Sequence, residues 1–151
     1  MNVREYVERL YASFGKAPRP DLAEITPHRC CECDEVTERL SPYAARDVPE
    51  KDMHWLGDCL PLLSAKAFRF YMPRFIEFCL KVANSNVEAL INYNLVPSTG
   101  LDVGERNRFA GFSEEERRLV LEFVEYRASL PDNVHDEPYL EAARRFWRNA
   151  A

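Results

Sequence analysis

The first apolar positions of the chain fall at Val3, Tyr6, Val7, Leu10, Tyr11 and Phe14. That three-and-four spacing is one face of an α-helix. It predicts a helix over residues 2–14, with Asn2 able to cap its start and Gly15 able to end it. The pattern then breaks. Residues 16–29 hold Pro18, Pro20 and Pro27 and read as a loop laid along the surface. A narrow apolar face returns over residues 30–40 at Cys33, Val36 and Leu40. Ser41-Pro42 stops that helix and is suited to start another, with Ser as cap and Pro at the first helical position. Residues 49–63 read as a short helix carrying Met53, Leu56 and Leu60, broken at Pro61.

The most apolar stretch follows. Ser64 caps AKAFRFYMPRFIEFCLKVAN, whose stripe runs through Phe68, Tyr71, Met72, Phe75, Phe78, Cys79 and Val82. This is the expected central helix of the core. Pro73 lies inside it, and a missing N–H plus a ring clash predict a helix kinked or split there. Residues 85–96 are ambiguous: Val87, Leu90 and Ile91 suit a short helix, whereas Asn92 and Asn94 suggest a turn. Residues 97–112 carry three of the five glycines and read as the longest irregular segment. Ser113 and Glu116 then form a capping box, opening a helix with Leu119, Val120, Phe123, Val124 and Tyr126 that Pro131 ends. Asp136 can cap a last helix with Tyr139, Leu140, Ala143, Phe146 and Trp147 turned inward. No strand alternation and no internal repeat emerge. The expectation is one all-α domain over residues 1–151, a compact irregular bundle of five to seven helices.

Composition narrows the class. At 151 residues, 46% hydrophobic and 30% charged, the chain suits a single domain with its own core. Seven of its ten prolines lie in residues 18–73, which predicts short helices and turns there and two longer helices in the last 40 residues. The net charge of −5 argues against nucleic-acid binding, which needs clustered Lys and Arg. It is also uneven: residues 24–58 hold nine acids against four bases, so the remainder is neutral. From Leu60 to Ala83 the balance reverses, with Lys66, Arg69, Arg74 and Lys81 against Glu77. The N-terminal residues lack the apolar run of a secretory signal, and no window reads as a membrane span. The compartment expected is the cytoplasm, and the five cysteines are read as free thiols. Arginine outnumbers lysine 16 to 4, a bias expected of a GC-rich bacterial genome.

Candidate chemistry concentrates in His28-Arg-Cys30-Cys31-Glu32-Cys33-Asp34-Glu35. Cys30-x-x-Cys33 is the spacing with which two thiolates grip one ion, half of a zinc site. His28, Cys31, His54 and Cys59 are the further nitrogen and sulfur donors within reach in sequence, and there is no second C-x-x-C. The alternative is a thiol packed as a small hydrophobe beside others at a helix start. A redox motif is disfavoured, because no strand precedes Cys30 and the acids Glu32, Asp34, Glu35 and Glu38 oppose a thiolate. His135 falls in a turn and reads as a surface residue. Tyr71, Phe75 and Phe78 could line a pocket near Pro73, although aromatics at helical spacing more often form core. No G-x-S-x-G, H-E-x-x-H, phosphate loop or EF-hand is present, so no catalytic residue is assigned.

Two segments carry a resemblance: PHRCCECDEV at 27–36 and LPLLSAKAFRFYMPRF at 60–75. The second resembles the LPLLSPEAFRYYLPAF-type segment of an uncharacterised bacterial family of unknown function, and the first resembles that family's H-x-C-x-x-C-x-E region. Ala65-Lys66 stands where Pro-Glu is usual, and Cys31 is extra. The resemblance spans roughly residues 20–95 and implies a small soluble protein with no assigned activity.

The reading that follows is a non-enzymatic protein-interaction module of the bacterial cytosol. Its acidic residues Glu32, Asp34, Glu35 and Glu38 would receive another protein, and a basic toxin bound by an immunity protein is the specific form. No cofactor, nucleic acid or membrane is expected. The alternative is a small zinc-binding protein using Cys30 and Cys33.

Overall fold

A computed structural model of the chain describes residues 1–82, 86–96, 108–131 and 137–150. Among these the regular structure is wholly helical. The seven α-helices are α1 (Val3–Phe14), α2 (Cys31–Leu40), α3 (Met53–Asp58), α4 (Ala65–Lys81), α5 (Asn86–Asn94), α6 (Glu114–Ala128) and α7 (Glu137–Ala150). Short 3-10 turns link the early ones, as the proline distribution predicts.

Local chemistry sets the boundaries. The Asn2 side chain accepts from the Glu5 amide at the start of α1. Ser64 Oγ accepts from the Ala67 amide and opens α4. Ser113 and Glu116 form the reciprocal capping box of α6. One expected start is absent. Ser41 closes α2 rather than opening a new helix, because the Tyr71 hydroxyl donates to the carbonyls of Leu40 and Tyr43 and holds this stretch as a turn. Pro61 lies inside a 3-10 turn, Leu60–Leu62, that follows α3.

Helix α4 is the axis of the molecule. Every residue from Tyr71 to Cys79 is buried, and α1, α3 and α5 pack against it. Pro73 does not split it: the helix runs unbroken over Ala65–Lys81. Burial on all sides favours the helical path enough to offset the missing donor of Pro73. The charged residues of α4 are satisfied internally. Glu77 accepts from Tyr11 (2.7 Å), Arg74 (3.2 Å) and Lys81 (2.5 Å), and Arg74 also donates to the Val48 carbonyl at 2.9 Å.

Within the ambiguous stretch 85–96, Asn86–Asn94 is helical as α5, and it packs on α3 and α4. Gly57 of α3 makes this approach possible: a Cβ there would meet Val87 Cγ2 at 2.5 Å. The first helix is tied to the sixth. Tyr6 donates its hydroxyl to the Leu119 carbonyl at 2.8 Å, and Arg9 forms a two-bonded pair with Glu122. Helix α7 lies on α6 and sinks Trp147, whose indole N–H donates to the Leu95 carbonyl at 2.7 Å. Phe109, Phe112 and Phe146 surround that indole. Tyr139, expected inward, is instead 42% exposed and packs on Tyr93, 4.1 Å between ring centres. Residues 97–107, Asp136 and His135 lie outside the described residues, and with them the expected irregular loop, helix cap and surface turn.

Candidate functional site

The loop of residues 16–29 is pinned where it approaches α2. Ile25, between Pro20 and Pro27, is buried, and its carbonyl accepts from the Ser64 amide at 2.9 Å. Lys66 pairs with Glu24 at 2.5 Å. Thr26 bonds to the His28 carbonyl (3.3 Å) and lies 3.5 Å from the Thr37 hydroxyl of α2. The chain is thereby folded back so that His28 stands over the first turn of α2.

That turn carries the cysteines. Cys30 is the N-cap residue, in extended backbone, and its Sγ accepts from the Cys33 amide at 3.3 Å. Cys33 points inward and is fully buried, yet its Sγ stays 3.5 Å from His28 Nε2. A ring nitrogen of His28, Cys30 Sγ and Cys33 Sγ all lie within 4.8 Å of one another. The backbone amide of Cys33, then its thiol, hold the Cys30 thiol below its ordinary range. Burial pushes Cys33 up to about 11, and burial does the same to Cys59. Neither of the two more distant candidates joins the cluster. His54 stacks edge-on against Phe78, 5.2 Å between ring centres, and Cys59 is buried in the core. Cys31 is exposed.

Beside this cluster runs an open groove of about 420 Å³. Leu22, Ala23, Thr26, Pro27, His28 and Arg29 line it from the loop, and Asp34, Thr37 and Glu38 from α2. Leu22, 66% exposed, is a large apolar side chain left on its rim. The sequence did not single out Leu22, because a loop has no periodicity that tells a buried apolar residue such as Ile25 from an exposed one such as Leu22.

The four acids of α2 divide. Glu32, Asp34 and Glu38 are exposed. Glu35 is half-buried and bound to Arg39 at 2.8 and 3.2 Å. Arg39 in turn bonds Asp52 at 3.0 Å and lies over the Trp55 ring. The basic stretch that follows does not form an opposing patch. Lys66 is committed to Glu24, Arg69 to Glu116, and Arg74 and Lys81 to Glu77. Tyr71, Phe75 and Phe78 are each 1% exposed and belong to the core.

No described helix is long and apolar enough to cross a membrane. Residues 18–151 match a family model described as a family of unknown function, DUF6714. The match runs past the segment 20–95 that carried the resemblance and takes in α6 and α7 as well. Neither the curated proteins nor the solved structures give a match.

Proposed function

We propose, for a chain that belongs to the DUF6714 family, a non-enzymatic interaction module that receives a basic segment of another protein on α2 and the groove beside it. The observation that carries this reading is a set of unspent acids. Glu32, Asp34 and Glu38 reach solvent with no ion-pair partner among the described residues, whereas Glu24, Glu35, Glu77 and Glu116 are all paired. Asp34 and Glu38 line the groove, and Leu22 supplies an apolar anchor on its rim. A segment with lysine or arginine next to one apolar side chain matches both. Uncompensated charge at such an edge speeds encounter and sets orientation more than it adds affinity. A toxin-neutralising protein of the cytoplasm is the most specific form of the reading, and it rests on the chain's size and acidity.

The test uses the full chain immobilised against an extract of its source cells, beside the double variant Asp34→Lys/Glu38→Lys. One partner should be held by the native chain, weakened by added salt and lost by the charge-reversed chain. Retention of that partner by the variant, or recovery of no partner at all, overturns the reading.

A further inference from the structure

We propose that His28, Cys30 and Cys33 form a three-ligand site for a thiolate-binding divalent ion, zinc being the ion their donor set favours. The argument begins with distance. Zinc bonds of about 2.3 Å to sulfur and about 2.0–2.1 Å to nitrogen give tetrahedral edges of about 3.8 Å between sulfurs and about 3.5 Å between sulfur and nitrogen. The Cys33 Sγ to His28 Nε2 separation is 3.5 Å, and the remaining separations are no more than 4.8 Å. Closing the triangle on an ion therefore asks each edge to shorten by about 1.3 Å at most, in side chains of which His28 is exposed and Cys30 only half-buried.

Donor chemistry selects the ion. Two sulfurs and an imidazole suit zinc and other borderline-soft ions, while magnesium and calcium require oxygen. Loading would move the two thiol protons to buffer, with the imidazole binding neutral through Nε2. The surroundings are those of a supported site. The Cys33 amide already donates to Cys30 Sγ, a bond that strengthens onto a thiolate, and the Thr26 hydroxyl fixes the His28 carbonyl. Among the described residues no fourth histidine, cysteine or carboxylate joins the cluster. Three protein ligands leave one position for water or for a donor brought by a partner, the arrangement of an open zinc site. His28 also lines the groove, so an ion there would stand at the groove's edge.

Reduced, chelator-stripped protein titrated with Co²⁺ tests the proposal. One equivalent should bind, with tetrahedral d–d bands and a sulfur-to-cobalt charge-transfer band that Zn²⁺ bleaches. Cys30→Ser keeps an N-cap oxygen and hence the helix, so it should remain folded by circular dichroism. It should lose about half the charge-transfer intensity and weaken binding by about tenfold or more. His28→Ala should weaken binding comparably with the charge-transfer intensity intact. Cys31→Ser and Cys59→Ser should behave as the native chain does. A native chain without the charge-transfer band, a Cys30→Ser variant that binds unchanged, or a loss on Cys31→Ser overturns the assignment.

Discussion

Cys30 and Cys33 are three residues apart and differ in every respect that governs a thiol. Cys30 sits half-exposed at the helix cap with an amide pointed at its sulfur, whereas Cys33 is buried and raised to about 11. In the metal-free protein, timed alkylation at neutral pH followed by peptide mapping should modify Cys30 at least about tenfold faster than Cys33 or Cys59. Equal rates would contradict the cap geometry. A second outcome at this scale concerns Gly57. Alanine there drives a methyl into Val87 and should cost about 1–3 kcal/mol in a denaturant titration, an overpacking cost rather than a loss of contacts. The residues of the cysteine site were legible as a spacing. That His28 folds back onto them was not, because the Ser64–Ile25 backbone bond that sets the loop joins parts of the chain far apart in sequence.

Helices were legible wherever the signal was local. The caps Asn2, Ser64 and Ser113 each act within three residues and behave as read. Segment 85–96 was ambiguous because of its asparagines, and what holds them is not local alone: Asn92 is buried in the packed face of α5 with neither amide atom hydrogen-bonded among the described residues. Asn94 donates to the Leu90 carbonyl at 2.6 Å and accepts from Arg108 at 3.0 Å, so a turn-former is held in a helix. Helices α4 and α6 are stapled by Arg69, which grips the fully buried Glu116 through Nε and Nη2. Arg69→Met strands that carboxylate in the core, and thermal or chemical unfolding should show a loss of about 3–5 kcal/mol. Ser113→Ala removes one arm of the capping box beside it and should cost about 1 kcal/mol. If the two changes proved equally mild, the Arg69 pair would be incidental to the packing of these helices.

At the scale of the molecule, the acidic segment and the basic one read as neighbours of opposite sign, but the basic side chains are spent inside the fold. Glu77 is the hub of that internal charge. Burial alone would raise its carboxyl, yet Lys81, Tyr11 and Arg74 together hold it below its ordinary 4.5. A depressed carboxyl stabilises the fold above the unfolded-state range and ceases to do so as pH falls through its folded value. The melting temperature should therefore drop on acidification below about pH 4.5, and Glu77→Gln should flatten part of that drop while lowering stability at neutral pH. Circular dichroism melts across pH check both, and an unchanged acid slope in the variant would assign the drop elsewhere. The all-α class was open to sequence reading because helical periodicity is local. The central burial of α4 was open as well, because its apolar stripe is broad. The route of the chain between helices was not.

The bond from Tyr6 to Leu119 spans 113 positions, and Arg9 to Glu122 spans the same number. During synthesis α1 leaves the ribosome well before α6, so this contact waits until α2 to α5 have been made. The side of α1 that meets α6 must therefore wait uncovered while α2 to α5 emerge, whereas α4, which receives Tyr11 at Glu77, is made earlier. The family match begins at residue 18, beyond this helix, yet the finished fold closes upon it. Its closure against α6 is a late, long-range step, completed well after α1 itself has been made.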